Sequence, residues 1–298
     1  MANPRIEVEE RGHLMDVLSI LYPEAKKNSL RRMIDHGRVL IDGNKASRAK
    51  EIVRAGSTVE TLSRSEGDGP ARKKADSIPE PEILYDDSKL LVVNKPAGLL
   101  SVATPRGEAD TMFDRALNWA SKNHSTRVHL VHRLDRETSG CLLLSKSTEV
   151  RDMLQKQFKD RTIERIYHAV VYGKPSSESG VEKSRVKETK DKRVRLVLKG
   201  ERAGKEAITN WKIEETGPIH SLIRIKIDTG RRAQIRLHMS AMGCPVSGDT
   251  RYGRGKASVN RLCLHASALG FEHPNGSRIK VESDIPSKLF SELRRQSL

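Results

Sequence analysis

The chain has only three cysteines, Cys141, Cys244 and Cys263, far apart and without a C-x-x-C pair. That usage suggests neither a disulfide framework nor a zinc cluster, and buried thiols are expected. No apolar run reaches the roughly 18 residues of a membrane helix. Mean hydropathy is −0.59, and the opening MANPRIEVEE lacks an apolar signal core. A soluble, cytoplasmic protein that does not bind membranes is therefore expected. The histidines form no H-x-x-x-H pair, which argues against a metal site. GERAGKE, Gly200 to Glu206, is one residue short of a phosphate-binding loop and has Glu206 where a hydroxyl is required, so nucleotide use is not expected. There is no G-x-S-x-G elbow and no repeat of fixed period.

Acidic residues are also short: 39 Asp and Glu face 55 Lys and Arg, a formal net charge of +16 with a pI near 9.9. Such a balance points to a polyanionic partner, most simply nucleic acid. Nothing resembles a helix-turn-helix or zinc finger, so a DNA-binding protein is the weaker reading.

At 298 residues the chain has room for two domains. The stretch SRSEGDGPARKKADSIPEP is rich in Ser, Gly, Pro and charge, which is linker composition. It divides the chain into 1–62, a linker at 63–79, and 80–298. In the first part Leu14, Val17, Leu18 and Leu21 recur with helical spacing. Leu30, Met33 and Ile34 make a second stripe behind a potential Ser29 N-cap, and Gly37 can end it. RVLIDGNKA then alternates and turns at Asp42-Gly43, a hairpin signal. This order of two helices and a small sheet, with Arg31, Arg32, Arg38 and Lys45 grouped around it, resembles the small RNA-binding module named after ribosomal small-subunit protein four. A plain solvated basic face is the alternative.

Beyond the linker the chain turns β-rich. SLIRIKID places Ile223, Ile225 and Ile227 opposite Arg224, Lys226 and Asp228, while TEVRDMLQKQF has helical spacing behind Thr148 as a cap. These patterns give a mixed, mostly antiparallel α+β domain with flanking helices.

HRLDRETSG, His132 to Gly140, is the most informative segment. The apolar runs RVHLV and CLLLSKS on either side read as strands, so Asp135 sits between arginines in a turn at a sheet edge. Opposite charge there favours the ionised carboxylate, which suits a nucleophile or base. A solvated, salt-bridged loop has the same spacing.

The segment resembles the signature of the pseudouridine synthases of the RluA type, with Glu137 in place of the more usual Asp. The resemblance implies a catalytic Asp135, with Arg133 helping to extrude the target base. It extends over most of 80–298. ILYDDSKLLVVNKPAG looks like the family's opening strand, where Lys95 lies in a turn beside the cleft and is expected to bind substrate. ERIYHAVVYG resembles the segment of the active-site tyrosine, Tyr167, with Arg165 where a lysine is usual. TGRRAQIRLH resembles the segment whose last arginine, Arg236, pairs with the catalytic aspartate; Arg231 and Arg232 would meet RNA, and Ala233 stands where histidine is usual. RLCLHASALGFEHP resembles the last strand, in which Leu264, or its neighbour Leu262, would wall the base.

The same resemblance implies a long bent sheet crossed by a cleft, and isomerisation of uridine to pseudouridine in structured ribosomal or transfer RNA by a monomer. The reaction detaches the base at N1 and rejoins it through C5, with no redox change or added group, so no cofactor is expected. Asp135 would attack C1′ or remove the 2′ proton; either route uses an ionised carboxylate. A non-catalytic RNA-binding or ribosome-assembly protein on the same fold is the competing reading, supported by Ala233 and Arg165. Against it, Asp135, Tyr167 and Arg236 all persist in three separate segments.

Overall fold

The computed structural model describes residues 3–35, 37–63, 78–104, 108, 110–189, 193–198, 201, 203–253 and 260–296. Most of the expected linker, 64–77, lies outside these residues. The chain divides into two compact units, Met1–Ser77 with Pro105–Ala109, and Ile78–Thr104 with Asp110–Leu298. Among the described residues no helix is long and apolar enough to cross a membrane.

The amino-terminal unit contains β1 (Arg5–Glu7), β2 (Gly12–His13), α1 (Leu14–Leu21), α2 (Lys27–Asp35), β3 (Val39–Ile41), β4 (Asn44–Lys45), β5 (Ile52–Val53) and β6 (Thr58–Thr61). The four-stranded sheet runs β1-β6-β3-β4, and β2 pairs with β5. Leu14, Val17 and Leu18 of α1 pack with Leu30 and Ile34 of α2 in one core, as their spacing implied. Helix α2 starts earlier than expected: the Ser29 amide already bonds the Lys26 carbonyl at 2.7 Å, so Ser29 lies inside the helix and is not its cap. A first turn can be wholly polar, so an apolar stripe underestimates where a helix begins. Its end is the expected one. Gly37 has φ 61°, its amide reaches the Ile34 carbonyl at 2.9 Å, and the Arg38 amide reaches that of Met33 at 2.9 Å.

The β3–β4 hairpin turns on Asp42 and Gly43, both at positive φ, the two-residue geometry that matches strand twist. Asp42 tolerates φ 50° while its carboxylate accepts the Thr58 amide at 2.8 Å. Arg31, Arg32 and Lys45 are exposed. Arg38 also has a structural partner: its Nε and Nη2 both donate to the Leu62 carbonyl, at 3.0 and 2.9 Å, and fasten the end of this unit.

The second unit opens with β7 (Glu82–Asp86), β8 (Leu90–Lys95), α3 (Met112–His124), β9 (His129–Leu130), β10 (Ser139–Ser145), α4 (Thr148–Asp160) and β11 (Glu164–Tyr172). It continues through β12 (Ser179–Glu188), β13 (Val194–Leu196), β14 (Lys205–Thr216), β15 (His220–Ile227), α5 (Gln234–Ala241), β16 (Leu264–Glu272), β17 (Arg278–Glu282) and α6 (Ser287–Leu293). Its sheet runs β13-β12-β14-β15-β11-β16-β10-β8-β7, with β17 on β16 and β9 on β10. Every pairing is antiparallel except β10 with β16, where Ser139 faces His265 and Gly140 faces Ala266. This mixed, mostly antiparallel α+β arrangement is the expected class. Ile223, Ile225 and Ile227 are buried while Arg224 and Lys226 are exposed, the period-two alternation of a half-wet strand.

Helix α4 is capped by Ser147, whose hydroxyl accepts from the Val150 amide at 3.3 Å; Thr148, the expected cap, is its first helical residue. Helix α3 carries weak apolar signals, with Met112, Ala116 and Ala120 turned inward, and is started by a reciprocal Thr111–Asp114 capping box. That small-residue face joins the main core of the unit, which also holds Leu91 and Val93 of β8, and sequence patterning had not revealed it.

Candidate active site

Asp135 lies in the loop between β9 and β10, and backbone pins hold the loop on both sides. The Ser101 hydroxyl donates to the Leu134 carbonyl at 2.9 Å and accepts the Leu134 amide at 3.0 Å. The Arg136 carbonyl takes the Gly98 amide at 2.9 Å and the Lys95 ammonium at 3.0 Å. Neighbouring His132 accepts the Leu143 amide on Nε2 at 3.0 Å and stacks on Phe158. Burial pushes its imidazole down to about 3, so it stays neutral and structural. At the far end of the motif Gly140 has φ 110°, and the backbone of Ala266 in the paired strand β16 occupies the space of a Cβ.

The arginines flanking Asp135 do not hold it. Arg136 Nε donates to the Gly98 carbonyl at 2.9 Å, and Arg133 is exposed on the cleft wall. The cation nearest Asp135 is Arg236, whose Nη1 is 3.9 Å from Oδ2. The expected Arg236–Asp135 pairing is present only at that length. The fork of Arg236 is engaged elsewhere: Nε and Nη2 donate to Asp249 Oδ2 and Oδ1, both at 2.7 Å. Asp249 is the functional residue that sequence reasoning missed. Its only signal was a lone acid in the small, apolar run CPVSGD.

Helix α5 aims Arg236. Its start is built by Gln234, whose Oε1 accepts the Thr229 hydroxyl at 2.8 Å and the Arg231 amide at 3.0 Å, while Nε2 donates to the Ile208 carbonyl at 2.9 Å. Ala233 precedes the helix at φ 54°, lining the cleft with a methyl group.

A cleft of about 280 Å³ gathers Asp135, Tyr167, Arg236, Leu264, Arg133, Arg165, Arg231 and Arg232, and that size suits a single base better than a duplex. Tyr167 rises from β11 at a register shift between Ile166 and Tyr167, and burial pushes its phenol up to about 12, so it is neutral across the physiological range. Leu264 lines the cleft; Leu262 is buried but does not. Arg165 packs over Phe158, 5.5 Å from the ring centroid, and donates to the Asp228 carbonyl at 2.9 Å. A Cβ on Gly230 would come 2.7 Å from its Nη1, so the guanidinium lies directly against this glycine. Arg231 Nε bonds the Glu206 carbonyl at 2.8 Å and Arg232 pairs with Glu188 at 2.9 Å, so both stand on the cleft wall tied to β14 and β12.

Lys95 departs from expectation. It is fully buried and lies outside the cleft lining, with Nζ donating to the carbonyls of Pro96, Leu99 and Arg136 at 2.8, 2.7 and 3.0 Å. A substrate-contacting role is therefore replaced by one in the loop scaffold. Burial lowers its ammonium to about 7, opposed by the charges of Glu137 and Asp135.

Comparison with known proteins bears on the whole arrangement. The RNA pseudouridylate synthase family model matches residues 89–241, and the S4 domain model matches residues 14–59. The chain is 31% identical to ribosomal large subunit pseudouridine synthase D of Neisseria meningitidis, across 94% of this chain and 77% of that protein. Against the synthase of the same name from Pseudomonas aeruginosa the identity is 32%, covering 94% and 91%. With the uncharacterized RNA pseudouridine synthase YlyB of Bacillus subtilis it is 30%, covering 90% of each. Among solved structures, human RNA pseudouridylate synthase domain containing 4 superposes with a TM-score of 0.61 at 22% identity, over 71% of this chain and 91% of that one. With an amino-terminal S4 domain, and a catalytic unit whose cleft holds an aspartate, a tyrosine and an arginine from three separate segments, this chain belongs to the RNA pseudouridylate synthase family.

Proposed function

We propose that the protein isomerises specific uridines of large-subunit ribosomal RNA to pseudouridine, acting as a monomer in the cytoplasm, with Asp135 as the reacting carboxylate. What supports the choice of Asp135 is its place in the cleft: a carboxylate with no close ion pair, beside the only buried tyrosine of the cleft wall and within reach of Arg236. Support for the choice of RNA comes from the names carried by the relatives.

The target base has to leave its stack to enter the cleft, at a cost of a few kcal/mol, roughly, and less in a loop than in a helix. Arg133, exposed on the wall, is placed to take the space the base vacates, while Arg231 and Arg232 meet the phosphates that flank it. Inside, Leu264 presses on the base and excludes water, and Tyr167 lies against it. Asp135 either attacks C1′ and displaces N1, or removes the 2′ proton as the C1′–N1 bond breaks. The freed base turns and C5 bonds C1′, expelling the carboxylate in the first route or with the 2′ proton returned in the second, after which C5 loses its proton to solvent and N1 takes one up. With its phenol held near 12, Tyr167 keeps its proton at neutral pH and serves as packing and a hydrogen-bond donor. Exposed Arg31, Arg32 and Lys45 of the amino-terminal unit supply sequence-independent phosphate contacts.

The test is Asp135→Asn, which preserves shape and removes the reacting charge. Tritium release from RNA labelled at uridine C5 should disappear, while affinity for that RNA stays within about threefold. Turnover within tenfold of wild type would defeat the assignment. Mapping pseudouridines in total RNA from cells with and without the gene tests the ribosomal substrate.

A further inference from the structure

An arginine facing one free carboxylate closes on it with two parallel hydrogen bonds. Arg236 faces two carboxylates and makes that closure with Asp249, leaving Nη1 at 3.9 Å from Asp135. The choice is built in. The Asp249 side chain has no exposed surface, and its Oδ1 also accepts the backbone amides of Arg251 and Tyr252, both at 2.9 Å. Gly253 completes the turn, its amide donating to the Asp249 carbonyl at 3.0 Å, and the Tyr252 ring lies 5.1 Å from the Arg236 guanidinium. Burial raises Asp249, but the Arg236 hydrogen bonds and the turn amides outweigh it and hold the carboxyl below its usual range. An anion so fixed is a permanent part of the site.

We propose that Asp249 is a positioning residue for the isomerisation: by occupying the fork of Arg236 it presents Asp135 with one oriented N–H of a half-neutralised guanidinium, enough to hold that carboxylate in place and too little to quench it. A carboxylate locked in its own two-bond pair is a weak nucleophile and a weak base, so a bare arginine opposite Asp135 would slow the step it orients. The inference rests on the reading of Asp135 as the reacting group.

The groups bearing on the Asp135–Arg236–Asp249 row come from several elements. They are Arg236 of α5, Tyr167 of β11 and Lys95 of β8, whose ionisations feel Asp135, the Tyr252 ring against Arg236, and Arg133 and Glu137 on the motif itself. Among the described residues, Asp249 is the carboxylate that Arg236 meets on the side away from Asp135.

Asp249→Asn separates this role from scaffolding. Its carbonyl oxygen can still cap the amides of Arg251 and Tyr252, while its NH₂ turns a donor on Arg236 and the compensating charge is gone. Freed from its fork, Arg236 should close on Asp135. In the full-length protein, with single-turnover tritium release on a 5-labelled stem-loop, the variant should lose roughly 10- to 100-fold in the maximal rate constant, with the half-saturating protein concentration little changed. The acid limb of its pH–rate profile should move down by roughly half a unit or more, because an unshared cation favours the ionised carboxylate. A purely structural Asp249 would cost stability and leave the limb in place. If the Asn protein does not fold, Asp249→Ser, which removes the same charge and keeps a hydroxyl acceptor for the turn, carries the measurement with the same expectation. A folded, charge-free variant whose acid limb coincides with wild type overturns the proposal. Full activity of Asp135→Asn, measured alongside, would instead overturn the reading on which it rests.

Discussion

Gly140 closes the motif that carries Asp135, and replacing it with alanine tests whether the motif is held by the strand paired beside it. A Cβ at Gly140 would stand 2.7 and 2.8 Å from the carbonyl carbon and amide nitrogen of Ala266, and nearer still to its oxygen. All three are backbone atoms, so no side-chain rotation relieves the overlap. A carbon–oxygen contact relaxes only near about 3.3 Å, which requires β10 and β16 to separate. They are joined by just two residue pairs, so separation there breaks the parallel seam of the sheet. Gly98→Ala is the matched control: φ is 87°, with nothing within 4 Å of the added Cβ.

The control should cost only the left-handed conformation, roughly 1–2 kcal/mol. Gly140→Ala carries that cost plus about 2–3 kcal/mol for overpacking and weakened ladder bonds. Both tryptophans, Trp119 and Trp211, lie in the catalytic unit, so urea unfolding followed by their fluorescence reports on that unit. With a slope of about 2 kcal/mol per molar urea, the Gly140 variant should unfold about 1 M below the Gly98 variant. Midpoints that coincide would show that β16 yields easily at Ala266 and that the glycine has no steric role.

Arg236→Met should destabilise the catalytic unit by about 3–5 kcal/mol, because it strands the buried Asp249 carboxylate, and adding Asp249→Asn should restore most of the urea midpoint without restoring tritium release. A double variant as unstable as the single one would mean that Asp249 is not what Arg236 neutralises. In the amino-terminal unit, replacing Arg31 and Arg32 together with Gln should flatten the plot of log affinity against log salt by about 1.4–1.8. Arg38→Gln, whose guanidinium is spent on the Leu62 carbonyl, should leave that slope within error and lower the unit's melting temperature instead.

Local signals accounted for much of the fold. Helix α1, the hairpin turn at Asp42-Gly43, the Gly37 cap and the alternation of β15 each depend on neighbours within a few residues, and each stands where its pattern put it. Helix caps were less secure, since Ser147 and Thr148 offer equivalent hydroxyls and packing of the first turn chooses between them. Helix α3 escaped notice because its inward face is largely alanine, which leaves only a faint apolar period.

The sequence by itself determined the chemistry available to the site: a carboxylate between two strands, a tyrosine on a third, and an arginine in a segment of recognisable spacing. Tertiary structure decided who uses what. Lys95 turns inward because three carbonyls of the folded loop collect around its ammonium, and no one of them is visible as a ligand in the chain. Arg236 meets Asp249 before Asp135 because the α5 helix and the turn after it fold together, while Asp135 arrives from another part of the sheet. Arginines beside Asp135 in sequence make no ion pair with it among the described residues for the same reason: charge spacing along a chain sets which ions exist, and only packing sets which of them are close enough, and dry enough, to pair.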